Sequence, residues 1–282
     1  MKILLLGKNG QVGWELQRSL APLGELISLD RYAGDGLCGD LLNRDGLRTM
    51  IRRIKADVIV NAAAYNSVDK AESEPEMANA VNALAVQVMV EEAEVMDSWL
   101  IRYSSDNVLG GQARSPWRET DPTCPLNLYG ESKLAGEQAI QASGCKHLIF
   151  RTSWIHGARG HNFAKTILRL AKERETVSVI ADQIGAPTGS DLIADVTALA
   201  LQQVLCRPEL LGLYHLAASG KVSWHGYASH VIHFAKENDE SLAVKSVDPI
   251  ETSAYPAAAS RPLNSRLNTQ KLRDNFSLHL PD

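Results

Sequence analysis

The chain has 282 residues, 45% of them apolar, enough for one large or two unequal globular domains with full cores. A net charge of −4 gives no electrostatic case for binding nucleic acid or an anionic membrane surface, and no stretch approaches the length of a membrane span. Cys38, Cys124, Cys145 and Cys206 are scattered without a C-x-x-C pair and read as reduced thiols of a cytoplasmic protein.

Ile3-Leu4-Leu5-Leu6 reads as a first strand; the run is too short for a signal peptide, and Lys8-Asn9 ends it. Gly7-Lys8-Asn9-Gly10-Gln11-Val12-Gly13 follows, and then a helical pattern with Val12, Leu16 and Leu20 on one face. Strand, glycine turn and helix together predict a dinucleotide-binding unit, because a pyrophosphate must approach backbone N–H groups where a Cβ would block it. Gly7, Gly10, Gln11 and Val12 are the expected phosphate contacts.

Glu25–Leu29 reads as the second strand, with Asp30 at its end. A carboxylate there bonds adenosine ribose hydroxyls and favours NADH, whereas Arg31 can pair with the 2′-phosphate of NADPH, so use of both cofactors is expected. Asp40 and Leu41 precede a helix over 43–55 and are placed to contact the adenine, or, for Asp40, to cap that helix. A buried strand over 57–61 runs into Ala62-Ala63-Ala64-Tyr65, small residues that let a cofactor lie against the backbone at the carboxyl edge of the sheet. A long helix is predicted from Pro75 to about Met96, with Asn82 inside it.

The strand Trp99–Asp106 has a polar end, and a long Gly- and Pro-rich loop then delivers the chain to Tyr129-Gly130-Glu131-Ser132-Lys133. Tyr129 and Lys133 are one helical turn apart on the same face. A nearby ammonium, with a cationic nicotinamide, is expected to lower the phenol from its ordinary value near ~10, so that it exchanges a proton with a carbonyl oxygen. Ser105, or its neighbour Ser104, supplies a hydroxyl for that oxygen.

Further strands are predicted over 146–154, 177–180 and 212–217, and helices over 164–174, 191–205 and 224–236. Trp154 faces either a substrate or the core of a second domain. His225, His230 and His233 lack metal-ligand spacing and read as ordinary histidines. The fold class is α/β: a doubly wound parallel Rossmann sheet over 1–152 and about 189–217, with a smaller, discontinuous α/β substrate domain over about 153–188 and 218–282.

The glycine turn has G-x-x-G-x-x-G spacing, which resembles extended short-chain dehydrogenase/reductases. Several segments carry a closer resemblance: Gly10-Gln11-Val12-Gly13, Asn61-Ala62-Ala63-Ala64-Tyr65, Val68-Asp69-Lys70-Ala71-Glu72, Tyr129–Lys133, Arg151-Thr152-Ser153-Trp154, Gly185-Ala186-Pro187-Thr188 and Arg261-Pro262-x-Asn264-Ser265-x-Leu267. In this order they are similar to the dTDP-4-dehydrorhamnose reductase family over nearly the whole chain. The resemblance implies NAD(P)H-dependent reduction of the 4-keto group of a dTDP-4-dehydro-6-deoxyhexose, with Ser105, Tyr129 and Lys133 as catalytic residues. Tyr129 and Lys133 would also bind the cofactor, and Ser105, Asp106, Asn107, Trp154 and Arg261 the sugar nucleotide. It also implies a homodimer, in which some members bind Mg²⁺ through acidic residues; Glu15 and Asp191 match two of these, and a third lies in a final helix beyond Asp282.

The sequence departs from the family's usual Ser-Thr-Asp-Tyr-Val-Phe at Ser105, Asn107 and Leu109, and has Asn66 where Thr is usual. Two other readings of the motifs are a sugar-nucleotide dehydratase or epimerase, and a cofactor-binding regulatory subunit. The first expects an Asp-Glu pair after the strand-end hydroxyl, where this chain has Asp106-Asn107.

Overall fold

The computed structural model describes residues 1–32, 34, 36–238 and 241–282. In chain order the elements are β1 (Lys2–Leu6), α1 (Gln11–Leu20), β2 (Glu25–Leu29), α2 (Arg44–Ile54), β3 (Val58–Asn61), α3 (Val68–Ala71), α4 (Pro75–Asn79), α5 (Ala85–Val95), β4 (Trp99–Ser105), α6 (Leu128–Gln141) and β5 (Lys146–Thr152). They continue as β6 (Ile155–His156), α7 (Phe163–Glu173), β7 (Thr176–Ile180), β8 (Ile184–Gly185), β9 (Thr188–Gly189), α8 (Ser190–Cys206), β10 (Gly212–His215), β11 (Val222–Ser223), α9 (Trp224–Glu237), β12 (Ser246–Ile250) and α10 (Gln270–Phe276).

Six strands form one parallel sheet in the order β10-β5-β4-β3-β1-β2. Strands such as Val58–Asn61 and Trp99–Ser105 are buried throughout, because helices cover both faces of the sheet. On one face Ile3, Leu5, Val60 and Ile101 pack with Leu16 of α1, Leu201 of α8 and Leu272 of α10. On the other, Leu4, Leu6, Ile59 and Leu100 pack with Met50 of α2, Met89 of α5 and Ile140 of α6. The chain leaves β1 for β2 on one side and places β3 on the other, so the carboxyl ends of β1 and β3 frame a topological switch point. A third apolar cluster joins Ile167 and Ala171 of α7, Val177 and Val179 of β7, and Ala228 and Ile232 of α9.

The expected helix over 75–96 divides into α4, one π turn over Ala80–Leu84, and α5. The expected strand over 146–154 ends at Thr152, since Trp154 takes a φ of 49°, outside the strand region. The strand over 212–217 ends at His215. β12 and α10 lie in segments without a sequence assignment. β12 runs parallel to β7 in a two-stranded sheet and carries Pro249, which reads as a strand breaker.

α6 is held down by a buried ion pair. Arg151 of β5 donates from Nη2 to Glu137 Oε2 at 2.7 Å and from Nε to Oε1 at 3.0 Å. Their side chains are 4% and 0% exposed, so neither charge has water as an alternative partner. Glu137→Ala would strand the guanidinium. It is expected to lower unfolding stability by about 3–5 kcal/mol in urea titrations.

Candidate active site

At the end of β1 the backbone turns through Gly7, whose φ is +86°, into α1. A Cβ on Gly7 would lie 2.6 Å from the Ala63 nitrogen, and one on Gly13 would lie 2.0 Å from the Gly7 carbonyl oxygen. The glycines therefore serve close packing of this turn against β3 and α1. The first intrahelical bond of α1 runs from Trp14 N to Gly10 O, leaving the N–H groups of Gln11, Val12 and Gly13 at the helix start for an anion.

A cleft of about 590 Å³ opens beside this turn. Gly7, Gly10, Asp30, Arg31, Asp40, Leu41, Ala62, Ala63, Ala64 and Tyr65, named in the sequence as cofactor contacts, all line it. The side chains of Gln11 and Val12 do not line it. Gln11 Oε1 accepts from Asn162 Nδ2 at 3.1 Å, and Val12 belongs to the core beneath α1; only their backbone can serve a phosphate there. Asp30 accepts from Asn9 Nδ2 at 2.6 Å and from Tyr32 N at 2.9 Å. Arg31, 57% exposed, pairs with Asp40 at 3.3 Å. Asp40 also accepts from Leu42 N at 3.1 Å, and Asn43 rather than Asp40 caps α2.

A second cleft, of about 1050 Å³, lies at the carboxyl ends of β4 and β5. Ser104, Ser105, Asp106, Asn107, Tyr129, Trp154 and Arg261 all reach it. Ser105 Oγ donates to Asp106 Oδ1 at 3.0 Å and accepts from Asn107 N and Nδ2, both at 3.2 Å. Asn107 Oδ1 accepts from Asn127 Nδ2 at 2.9 Å, and Asn127 Oδ1 caps α6 at Gly130 N at 2.8 Å. A hydrogen-bonded chain thus links the Ser105 hydroxyl to the start of the helix that carries Tyr129. Ser104 Oγ is buried without a protein partner.

Tyr129 and Lys133 are buried on one face of α6, with the Lys133 ammonium 5.8 Å from the Tyr129 ring centre and donating to Tyr103 O at 3.3 Å. Burial depresses Lys133 to about 7, and the Arg102 charge adds to this. Burial pushes Tyr129 up to about 12, against the lowering influence of the neighbouring Ser105 hydroxyl. The expected lowering of the phenol by its lysine is therefore not met by the chain alone. Desolvation outweighs a neighbour that is itself only partly charged near neutral pH.

Trp154 stacks on Trp224 with ring centres 3.5 Å apart, and Phe163 lies 4.4 Å from Trp224. A Cβ on Gly185 would fall 2.5 Å from the Trp154 ring. Trp154 thus both lines the cleft and stacks on Trp224, which packs on the cluster of α7, β7 and α9. Arg261 Nη2 pairs with Asp69 Oδ2 at 2.8 Å, and Glu72 accepts from Leu128 N at 2.9 Å. These two bonds give the Val68–Glu72 segment a role that the sequence did not disclose. Trp224 and Gln183, hydrogen-bonded to each other at 3.1 Å, also line the cleft and were missed. No spacing rule links residues so far apart in the chain.

Glu15 lies 3.5 Å from Arg18, and among the described residues no group of three or more His, Cys, Asp or Glu side chains is placed to hold a metal. No helix among the described residues is long and apolar enough to cross a membrane.

A Rossmann sheet with a glycine turn at its switch point, beside a cleft lined by Ser105 and Tyr129 with Lys133 buried one turn further along α6, defines an oxidoreductase of the extended short-chain dehydrogenase/reductase type. Residues 1–282 match the RmlD substrate binding domain family. The chain is 54% identical to the dTDP-4-dehydrorhamnose reductase of Shigella flexneri, covering 100% of this chain and 94% of that protein. It is 55% identical to that of Salmonella typhimurium, with the same coverage. The crystal structure of the Bacillus anthracis dTDP-4-dehydrorhamnose reductase in complex with NADP superposes with a TM-score of 0.87 at 33% identity, covering 100% of this chain and 95% of that one. The chain belongs to the dTDP-4-dehydrorhamnose reductase family. It is an oxidoreductase.

A group whose folded pKa is depressed to about 7 binds its proton in the unfolded chain up to about 10.5. Between those values the unfolded state holds more protons, so the cofactor-free protein is expected to gain stability as pH rises from about 7 toward 10. Urea titrations at several pH values would show this slope, and Lys133→Met should flatten it.

Proposed function

We propose that this chain reduces the 4-keto group of dTDP-4-dehydro-L-rhamnose, giving dTDP-L-rhamnose. The observation that carries the reading is that Ser105 and Tyr129 line a cleft beside the dinucleotide cleft, with Lys133 buried one helical turn from Tyr129, in a chain 54% identical to a reductase of that name. Bound NADPH or NADH supplies the hydride. Tyr129 donates the proton to the substrate oxygen, and Ser105 turns its hydrogen from Asp106 to the same oxygen as charge develops there. Lys133 holds the nicotinamide ribose and, when protonated, favours the phenolate that Tyr129 becomes. Arg261, held by Asp69, faces the diphosphate, and the Trp154–Trp224 stack forms an apolar wall for the sugar nucleotide.

Asp30 and Arg31 sit side by side at the end of β2, which supports use of both cofactors. We also propose a division into a cofactor domain (1–152 with about 189–217) and a substrate domain (about 153–188 with 218–282). The separate apolar cluster of α7, β7 and α9 supports it. A homodimer is the proposed assembly, supported by the exposed Trp14, Leu199 and Leu205. The cytoplasm is the proposed location, supported by the free thiols of the four cysteines.

The test is consumption of NADPH and NADH with dTDP-4-dehydro-L-rhamnose, alongside the unepimerised dTDP-4-keto-6-deoxyglucose. Oxidation with the first sugar is expected. Oxidation with the second alone would make the chain a reductase of another sugar. Cofactor binding without turnover on either would favour a regulatory subunit. Tyr129→Phe is expected to lower kcat by roughly 10²–10⁴, the usual worth of a positioned acid. Arg31→Ala should weaken NADPH binding by roughly tenfold, the worth of one charge-assisted hydrogen bond, while leaving NADH binding near its wild-type value.

A further inference from the structure

Arg102 is an unusual occupant of a central strand. Its side chain is fully buried, and it crosses from β4 to the underside of α6. One guanidinium nitrogen, Nη2, donates to the carbonyl of Asn82 in the π turn; the other, Nη1, has no hydrogen-bond partner. A Cβ on Gly136 of α6 would fall 1.7 Å from Nη1 and 2.2 Å from that same carbonyl oxygen. Helix, π turn and guanidinium therefore meet at one point, and only a glycine leaves room for the contact.

The Asn82 side chain leads directly to the site. It accepts from Tyr65 N at 3.0 Å, donates to Tyr65 O at 3.0 Å and donates to Ser132 Oγ at 3.0 Å. Tyr65 lines the dinucleotide cleft, and Ser132 lies between Tyr129 and Lys133 on α6. Arg102 thus fixes the turn that joins the cofactor cleft to the catalytic helix.

Its charge has the same address. Around Lys133 the charged groups are Arg102 of β4 and Glu137 of α6, and around Tyr129 they are Arg102, Asp106 and Arg261. Glu137 is already bonded to Arg151. Two buried guanidinium groups therefore share one buried carboxylate, and a guanidinium keeps its proton where an ammonium gives it up.

We propose that Arg102 is a positioning residue of the reaction, clamping the Asn82 turn to α6 and holding a permanent positive charge beneath the Tyr129–Lys133 pair. The proposal rests on the reductase reading. Its electrostatic consequence is that the protons of that pair come off at lower pH than they would above a neutral residue.

The test compares wild type, Arg102→Gln and Arg102→Lys in two measurements across pH: kcat/KM with dTDP-4-dehydro-L-rhamnose, and the dissociation constant of NADPH followed by fluorescence. Arg102→Gln removes the charge. It is expected to move the apparent pKa values upward by roughly one to two units in both profiles, the scale of one unit charge a few ångströms away. Arg102→Lys loses the fork and puts there an ammonium that the same burial makes give up its proton, so its profiles should also move upward while kcat falls. Profiles for Arg102→Gln that superimpose on wild type, with only the melting temperature lowered, would overturn the proposal. If Arg102→Gln does not fold, Arg102→Lys decides alone: profiles displaced upward support a role for the charge, and profiles that superimpose on wild type overturn it. Wild-type protein that binds NADPH but turns over no sugar would count against the reductase reading, and the NADPH binding arm would still decide the role of Arg102.

Discussion

The site depends on the burial of charge beneath α6. This helix presents Tyr129 and Lys133, and its underside carries Glu137 against Arg151, with Arg102 alongside. Charges without access to water are tolerable only at fixed distances from their partners, so the helix has little freedom to slide or roll. Its N-terminus is pinned as well: Asn127 caps it, and Glu72 accepts from Leu128 N. A reacting group needs placement to within a fraction of an ångström, and here that placement comes from polar contacts that leave no second arrangement equally satisfied.

The same anchoring extends to the partner of Tyr129. Ser105 has both lone pairs engaged by Asn107, whose amide in turn holds Asn127, the cap of α6. The only freedom left to the hydroxyl is the direction of its hydrogen. That hydrogen points to Asp106, a carboxyl raised by burial above its ordinary range. Asn107 is a departure from the aromatic residue that the resemblance leads one to expect. Its amide completes the hydrogen-bonded chain in a way that an aromatic ring would not.

What the sequence discloses follows from which forces are local. The glycine turn is legible because close approach needs glycine at fixed spacing, and the Tyr129–Lys133 pair because one helical turn fixes which side chains are neighbours. The central strands are legible because they are buried on both faces. β12 is not, because Ser246–Ile250 has only Val247 and Ile250 half-buried, too few for an apolar run, and contains a proline; it is a strand by pairing with β7. The π turn at Ala80–Leu84 carries no breaker residue, so nothing in its composition separates it from ordinary helix. Trp154 with Trp224, and Arg261 with Asp69, are encounters across the fold that no periodicity encodes.

Without the cationic nicotinamide the lysine does not lower its tyrosine, for a physical reason. Local spacing gives the distance between two groups but not the water around them. At this site burial acts on both: it moves Lys133 toward neutrality and Tyr129 toward permanent protonation. A protonated phenol is the form that a reduction requires, since the oxygen gaining charge must receive a proton. The pair is therefore set for donation before any substrate arrives. Stabilising the resulting phenolate falls to charge that survives burial, and an ammonium near its own midpoint is a poor reserve for that task. The Arg102 guanidinium, which burial lowers only to about 10, keeps its proton under the same conditions.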